Sequence, residues 1–287
     1  MADQAQRLRE LVWGQRGRAR VLAVTSGKGG VGKTNTSVNL AIALAAYRKR
    51  VILLDADLGL ANVEVLMGLN SLYNIENVIE GEKSMREILA PGPGGIQVVP
   101  GSSGLAKLAD LSPAGRQNVL NGLSDLQELA EFVVIDTMAG IGRNAVSFAT
   151  AADEVILVTT PEPSAIVDAY AMLKTIHNTR KDAVVRLLVN MVGNQAQAKA
   201  VAAKLAGVAQ QYLSRNLSLL GYLPRDPSVS QAVMQSRPFI LQYPNAPVSK
   251  YMQMIASRLV EQQPAPEPQR ESFFKRFATS LGIAGNG

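Results

Sequence analysis

Short apolar runs recur along the chain, separated by longer stretches in which apolar residues return every three or four positions. The runs are RVLAVT (20–25), VILLD (51–55), IQVVP (96–100), FVVID (132–136), EVILVT (154–159), VVRLLVN (184–190) and LSLLGYL (217–223). They lack polar alternation, which is the pattern of strands covered on both faces, as in parallel sheets. Between them, TSVNLAIALAAY (36–47) puts Val38, Ile42 and Ala45 on one stripe, and AIVDAYAMLKTIH (165–177) behaves alike, so both predict helices. Strands alternating with helices predict an α/β fold over residues 20–260, a doubly wound, mostly parallel sheet with helices on both faces.

Two flanking segments fall outside that pattern. In residues 1–19, DQAQRLRELVWGQ (3–15) predicts a short helix with Ala5, Leu8 and Leu11 or Val12 on one side. Residues 261–269 carry prolines at 264, 266 and 268, a composition that gives a stiff, extended linker. The segment 270–287 follows. On a helical wheel, Phe273, Phe274, Phe277 and Leu281 share an arc of about 100°, with Lys275 and Arg276 opposite and flanking. Large aromatics bordered by basic residues suit a helix lying in a membrane surface. The competing reading is a helix docked on the chain's own core or on a partner. The proline linker argues against core packing, so membrane targeting is the expectation.

Composition narrows the function classes. Hydrophobic residues make up 47% of 287, enough for a large core. No run of 18 or more uncharged apolar residues is present, so no membrane-spanning helix is expected. The first residues lack the layout of a signal peptide, which predicts a cytoplasmic protein. With no cysteine and one histidine, His177, disulfides, iron–sulfur clusters and cysteine-ligated zinc are excluded. The net charge is +6, of which the first twenty residues supply five arginines against Asp3 and Glu10. The rest is spread thinly, so nucleic acid is not the expected partner.

Candidate chemistry begins after the first run. Residues 27–34, GKGGVGKT, fit G-x-x-x-x-G-K-T between a strand and a helix. Glycines let backbone N–H groups turn inward around phosphate oxygens, and the helix N-terminus adds positive potential. Gly29, Gly30, Val31, Gly32, Lys33, Thr34 and Asn35 are therefore the expected phosphate cradle. Lys33 reaches the β- and γ-phosphates and Thr34 holds Mg²⁺. VILLD delivers Asp55 and Asp57 to a strand end, where ligands bind in open parallel sheets. FVVIDTMAG (132–140) has the form of a Walker B strand, with Asp136 for the metal and Gly140 for a segment that follows the γ-phosphate. The expected cofactors are ATP and Mg²⁺, with Thr34, Asp55 and Asp136 around the metal.

KGGVGKT (28–34) carries a second lysine, Lys28, and so resembles the deviant Walker A motif of the MinD/ParA-type ATPases. DADLGLANV and DTMAGIG are similar to that family's two switches, and TTPEPSAIVDA (159–169) to its TxPExxxxxDA segment. Met138 departs from the usual Pro or Gly. The resemblance covers roughly 20–258 and implies a MinD-like P-loop fold and a slow, Mg-dependent ATPase used as a switch. It implies that Lys28 reaches across an ATP-dependent homodimer, where a second cation is worth roughly 10³ to 10⁵ in rate; the alternative is that Lys28 stays on its own nucleotide. It implies that Asp57 orients the attacking water, that Glu162 and Asp168 lie at the dimer contact, and that Asn190, Pro224, Arg225 and Asp226 meet adenine.

DQAQRLR (3–9) is similar to the segment with which the FlhG/FleN branch, regulators of flagellar number, stimulates an FlhF-type GTPase. Asp3, Gln4, Leu8 and Arg9 are the residues implied. Flagellar switch-complex proteins and a flagellar transcription activator are further implied partners. The tail implies an anionic membrane surface, at the inner face of the cell membrane and near a pole. A division-site ATPase of the MinD type and a DNA-partitioning ATPase of the ParA type are the alternatives.

Overall fold

In the computed structural model, residues 18–57, 62–101, 111–262 and 273–280 are described. The expected helix at 3–15, the linker at 263–269, Leu281 and the side chain of Phe274 lie outside them, as do the four partner-binding residues Asp3, Gln4, Leu8 and Arg9.

All seven apolar runs become strands. They are β1 (Arg20–Ser26), β2 (Val51–Ala56), β4 (Gln97–Val99), β5 (Phe132–Ala139), β6 (Glu154–Thr159), β7 (Val184–Val192) and β8 (Ser218–Pro224). An eighth, β3 (Ala90–Pro91), is only two residues long and pairs antiparallel at the edge. The sheet order is β3-β4-β2-β5-β1-β6-β7-β8, and every other pairing is parallel. The helices are α1 (Lys33–Ala45), α2 (Asn62–Met67), α3 (Ile75–Ile79), α4 (Pro113–Leu129), α5 (Arg143–Ala151), α6 (Pro163–Thr179), α7 (Gln195–Leu213), α8 (Pro227–Met234), α9 (Phe239–Gln242), α10 (Pro247–Glu261) and α11 (Phe273–Ser280).

Helices cover both faces, which is why the strands carry no polar alternation. Leu22 and Val24 of β1 pack with α1 and α10, whereas Val21 and Ala23 point to the face carrying α4 and α5. Ile156 and Val158 of β6 join the first group, and Val155 and Leu157 pack with α6 and α7. Because β1, β2 and β5 run parallel and side by side, their carboxyl ends open at one pole. Every loop expected to touch nucleotide leaves from that pole.

The tail corrects an expectation. Phe273 and Phe277 are not presented outward; each is 1% exposed. Phe277 stacks on Phe148 of α5, ring centroids 4.4 Å apart, and Phe273 stacks on Phe277 at 5.6 Å. Arg276, expected on the outward flank, donates from Nε to the Ala151 carbonyl at 2.8 Å and from Nη2 to Asp153 Oδ1 at 2.7 Å. Among the described residues of that set, only Lys275 is exposed as expected. Prolines at 264, 266 and 268 restrict only their own backbone, so they do not bar a helix beyond them from packing on the core. Burial of two phenyl rings against Phe148 contributes roughly 1.5–3 kcal/mol each, and Arg276 satisfies a helix-end carbonyl of α5.

Candidate nucleotide site

The phosphate loop is built by close approach of backbones. At Gly27 a β-carbon would stand 1.9 Å from the Asp168 carbonyl oxygen, so the loop lies directly on the first turns of α6. Gly32 has φ +85°, and a β-carbon there would meet Asn190 Nδ2 at 2.3 Å. Both positions require glycine, one for space and one for conformation as well. α1 begins at Lys33, immediately after the loop, and presents its free N–H groups to it.

The register of the sheet assembles the charged groups. Asp55 of β2 and Asp136 of β5 are paired neighbours, and both carboxylates are fully buried. Lys33 Nζ sits 3.1 Å from Asp136 Oδ1 and 3.5 Å from Asp57 Oδ2. Ser37 Oγ donates to Asp136 Oδ1 at 2.8 Å, and the Thr34 hydroxyl, near the same carboxylate, helps to stabilise its charged form. The Asp57 N–H donates to Asp55 Oδ1 at 3.0 Å. Lys33, Thr34, Asp55, Asp57 and Asp136 are thus one constellation.

Its electrostatics suit a cation. Burial, reinforced by Asp136 across the sheet, pushes Asp55 up to about 7. Burial also raises Asp136, against the pull of Lys33, Thr34 and Ser37. One oxygen of each, Asp55 Oδ2 and Asp136 Oδ2, is buried with no hydrogen-bond partner. Two adjacent unpartnered carboxylate oxygens beside a threonine hydroxyl and a phosphate loop fit a hard divalent ion that keeps several waters. Among the described residues no group of three acidic or histidine side chains is placed to hold a metal ion by itself.

Lys28 does not lie over its own loop. Its Nζ is 3.1 Å from Glu162 Oε2 and 2.9 Å from Ser164 Oγ, at the start of α6. Lys28, Glu162 and the backbone of Asp168 therefore meet at one exposed lip. Gly29 and Gly30 are exposed beside it, and Val31 is buried. At Gly140 the chain has φ +88° and its N–H donates to the Ser26 carbonyl, so the second switch starts against the loop.

The residues expected at adenine divide. Asn190 lies against the loop, with Nδ2 donating to the Val31 carbonyl at 2.8 Å and Oδ1 accepting from the Met191 N–H. It braces the loop, and both ends of its amide are already engaged. Asp226 caps α8, accepting from Ser228 N–H at 3.0 Å, and also accepts from Val248 N–H. Burial raises its carboxyl, but these donors outweigh burial and leave it below the ordinary range. Asp226 is thereby a support for the segment that carries Pro224 and the exposed Arg225. Ser37 and Ser164 went unforeseen. Ser37 could have been found, since it lies one helical turn after Lys33; Ser164 could not, because only the fold brings α6 to the loop.

The family model of the CobQ/CobB/MinD/ParA nucleotide binding domain matches residues 22–239. The chain belongs to this family. Its members' P-loop fold is the one described above, and it makes the chain a nucleotide-binding protein of an ATPase family. The antiactivator FleN of Pseudomonas aeruginosa is 42% identical over 261 residues, 90% of this chain and 93% of FleN. The flagellum site-determining protein YlxH of Helicobacter pylori is 34% identical, covering 98% of this chain and 100% of its own length. Among solved structures, a chain of the MinC:MinD cell division protein complex of Aquifex aeolicus superimposes with a TM-score of 0.70 at 25% identity, over 87% of this chain and 99% of that one.

Proposed function

We propose that this family member is an ATP-dependent dimerising switch that regulates flagellar number and placement at the inner face of the cell membrane, hydrolysing ATP to ADP and phosphate. The observation that carries it is the position of Lys28. Lys28 stands at an exposed lip, clear of the buried Lys33 constellation, which supports the reading that it serves a neighbouring site rather than its own. Similarity to FleN and YlxH supports the flagellar assignment.

On this reading the loop N–H groups and Lys33 hold the phosphates. Thr34, Asp55 and Asp136 hold Mg²⁺, which when bound neutralises charge on the phosphate oxygens. Asp57, tied to Lys33 in the free chain, is released as Lys33 turns to phosphate and then orients water. Lys28 leaves Glu162 for the partner's nucleotide, and Glu162 and Asp168 form part of the contact. Pro224 and Arg225 flank the base. Hydrolysis is slow because the switch acts while ATP is bound. The tail must leave α5 before it can enter a membrane, and two tails on one dimer gain by effective concentration. An FlhF-type GTPase would engage Asp3, Gln4, Leu8 and Arg9.

Deleting the gene and counting flagella per cell, alongside minicells, tests the biological half. Altered flagellar number without minicells is expected. Minicells with normal flagella would favour division-site placement instead.

A further inference from the structure

The pole opposite the nucleotide site concentrates positive charge. Arg18 precedes β1, Asp153 precedes β6, Arg180, Lys181 and Asp182 precede β7, and Arg215 precedes β8. Since β1, β6, β7 and β8 are mutually parallel, all of these lie at the amino ends of the strands. Arg180 Nη1 donates to the Thr150 and Ala152 carbonyls at 2.9 Å each, and Arg276 of the docked tail donates to the Ala151 carbonyl between them. Arg180 also pairs with Asp182, and Arg215 Nη1 reaches the Lys181 carbonyl at 3.5 Å. The cluster is electrically continuous: Arg276 is felt at Arg18 and at Asp182, and Arg180 at Arg215. Among the described residues, five cationic side chains, with Lys181, gather here against the carboxylates of Asp153 and Asp182, while Glu154 at the same strand end is buried and paired with Arg20 and Arg186.

The geometry points to this arginine-rich pole as a docking surface for anionic phospholipid headgroups, which compete with Asp153 and the α5 carbonyls for Arg276 and so free the tail helix. The inference rests on the membrane part of the reading above and adds where the core itself meets the bilayer. Two halves hold the tail down, an ionic half at Arg276–Asp153 and an apolar half at Phe273 and Phe277 on Phe148. A bilayer replaces both, phosphate for carboxylate and hydrocarbon for Phe148. Nucleic acid replaces only the ionic half and would leave the phenyl rings in water, so the membrane is the better match. The surface also faces away from the nucleotide pole and leaves the Lys28 lip clear.

The test is flotation of the full chain with Mg-ATP on vesicles of phosphatidylcholine alone and of phosphatidylcholine with one-third phosphatidylglycerol. The chain has no cysteine, so a Thr279→Cys variant carries a single polarity-sensitive dye that reports the tail leaving the core. Binding and the dye shift are expected on the anionic vesicles only. Lys181→Gln/Arg215→Gln, which touches neither the tail contacts nor the nucleotide site, should lower partitioning about thirty-fold with ATP-dependent dimerisation unchanged. Asp153→Asn should raise partitioning about five-fold by removing one negative charge and the ionic partner of Arg276. Equal partitioning by the double variant and the parent, or equal binding to neutral vesicles, overturns this surface while leaving tail-mediated membrane binding standing. No binding to either vesicle overturns both. Salt-sensitive retention on duplex DNA that the double variant loses, with vesicle binding unchanged, assigns the surface to nucleic acid and overturns the inference.

Discussion

Lys28 Nζ lies 3.1 Å from Glu162 Oε2, a contact between the phosphate loop and the first turn of α6. Both side chains are substantially exposed, 37% and 62%. An exposed ion pair of this kind contributes at most about 1 kcal/mol. The pair therefore does little for folding and is easily exchanged for a phosphate. Glu162→Ala is expected to move the unfolding free energy by less than about 1 kcal/mol in urea denaturation; a larger loss would make the contact structural.

Asp57 is held by Lys33 at 3.5 Å and is not part of the buried carboxylate pair. Asp57→Ala should keep nucleotide binding and ATP-dependent dimerisation while turnover falls by two orders of magnitude or more, on the order of a lost positioning group. Phosphate release in single-turnover conditions checks this. An unchanged rate would remove Asp57 from the mechanism.

Asp55 gives a pH prediction with a definite sign. Its carboxyl is raised from an ordinary 3.8 to about 7, first by burial and then by Asp136. The folded chain thus binds this proton more tightly than the unfolded chain. On Asp55's account, stability of the nucleotide-free protein is greatest below about pH 4 and falls as pH rises to about 7, by about 4 kcal/mol in all. Above pH 7 the loss is complete. Asp55→Asn should remove this part of the slope and leave the nucleotide-free variant more stable than the parent at pH 8. Denaturation across that range without nucleotide is the check, and parallel curves for the two proteins would contradict it.

Removing the chain after Glu261 takes away α11 and uncovers Phe148. The truncated protein is expected to remain in the supernatant with Mg-ATP in liposome co-sedimentation, where the full chain pellets. It should also unfold at lower denaturant, because two buried phenyl rings lose their contacts. Equal pelleting would show that the tail is not the anchor.

The strand–helix alternation was legible because strands buried on both faces are apolar throughout, and Val51 to Leu54 or Phe132 to Ile135 leave little choice. Ala90–Pro91 was not, since two residues at an edge carry no periodicity. The loop, Asp55 and Asp136 were legible as strand ends following a motif. The bracing of the loop by Asn190 and the capping by Asp226 were not, because each side chain's partner lies in an element remote in sequence or depends on local backbone turn. The tail shows the limit most plainly. Its apolar face was evident, but a wheel shows only that Phe273 and Phe277 share a side, not that Phe148 lies opposite.

In the proposed switch, ATP makes a dimer through Lys28. Light scattering of the parent and of Lys28→Ala, each with ATP and Mg²⁺ under conditions of slow turnover, measures it directly. The parent should double in mass with ATP and return to the monomer as ADP accumulates, while Lys28→Ala binds nucleotide and stays monomeric. A Lys28→Ala protein that dimerises with ATP as the parent does would show that Lys28 does not join the two protomers.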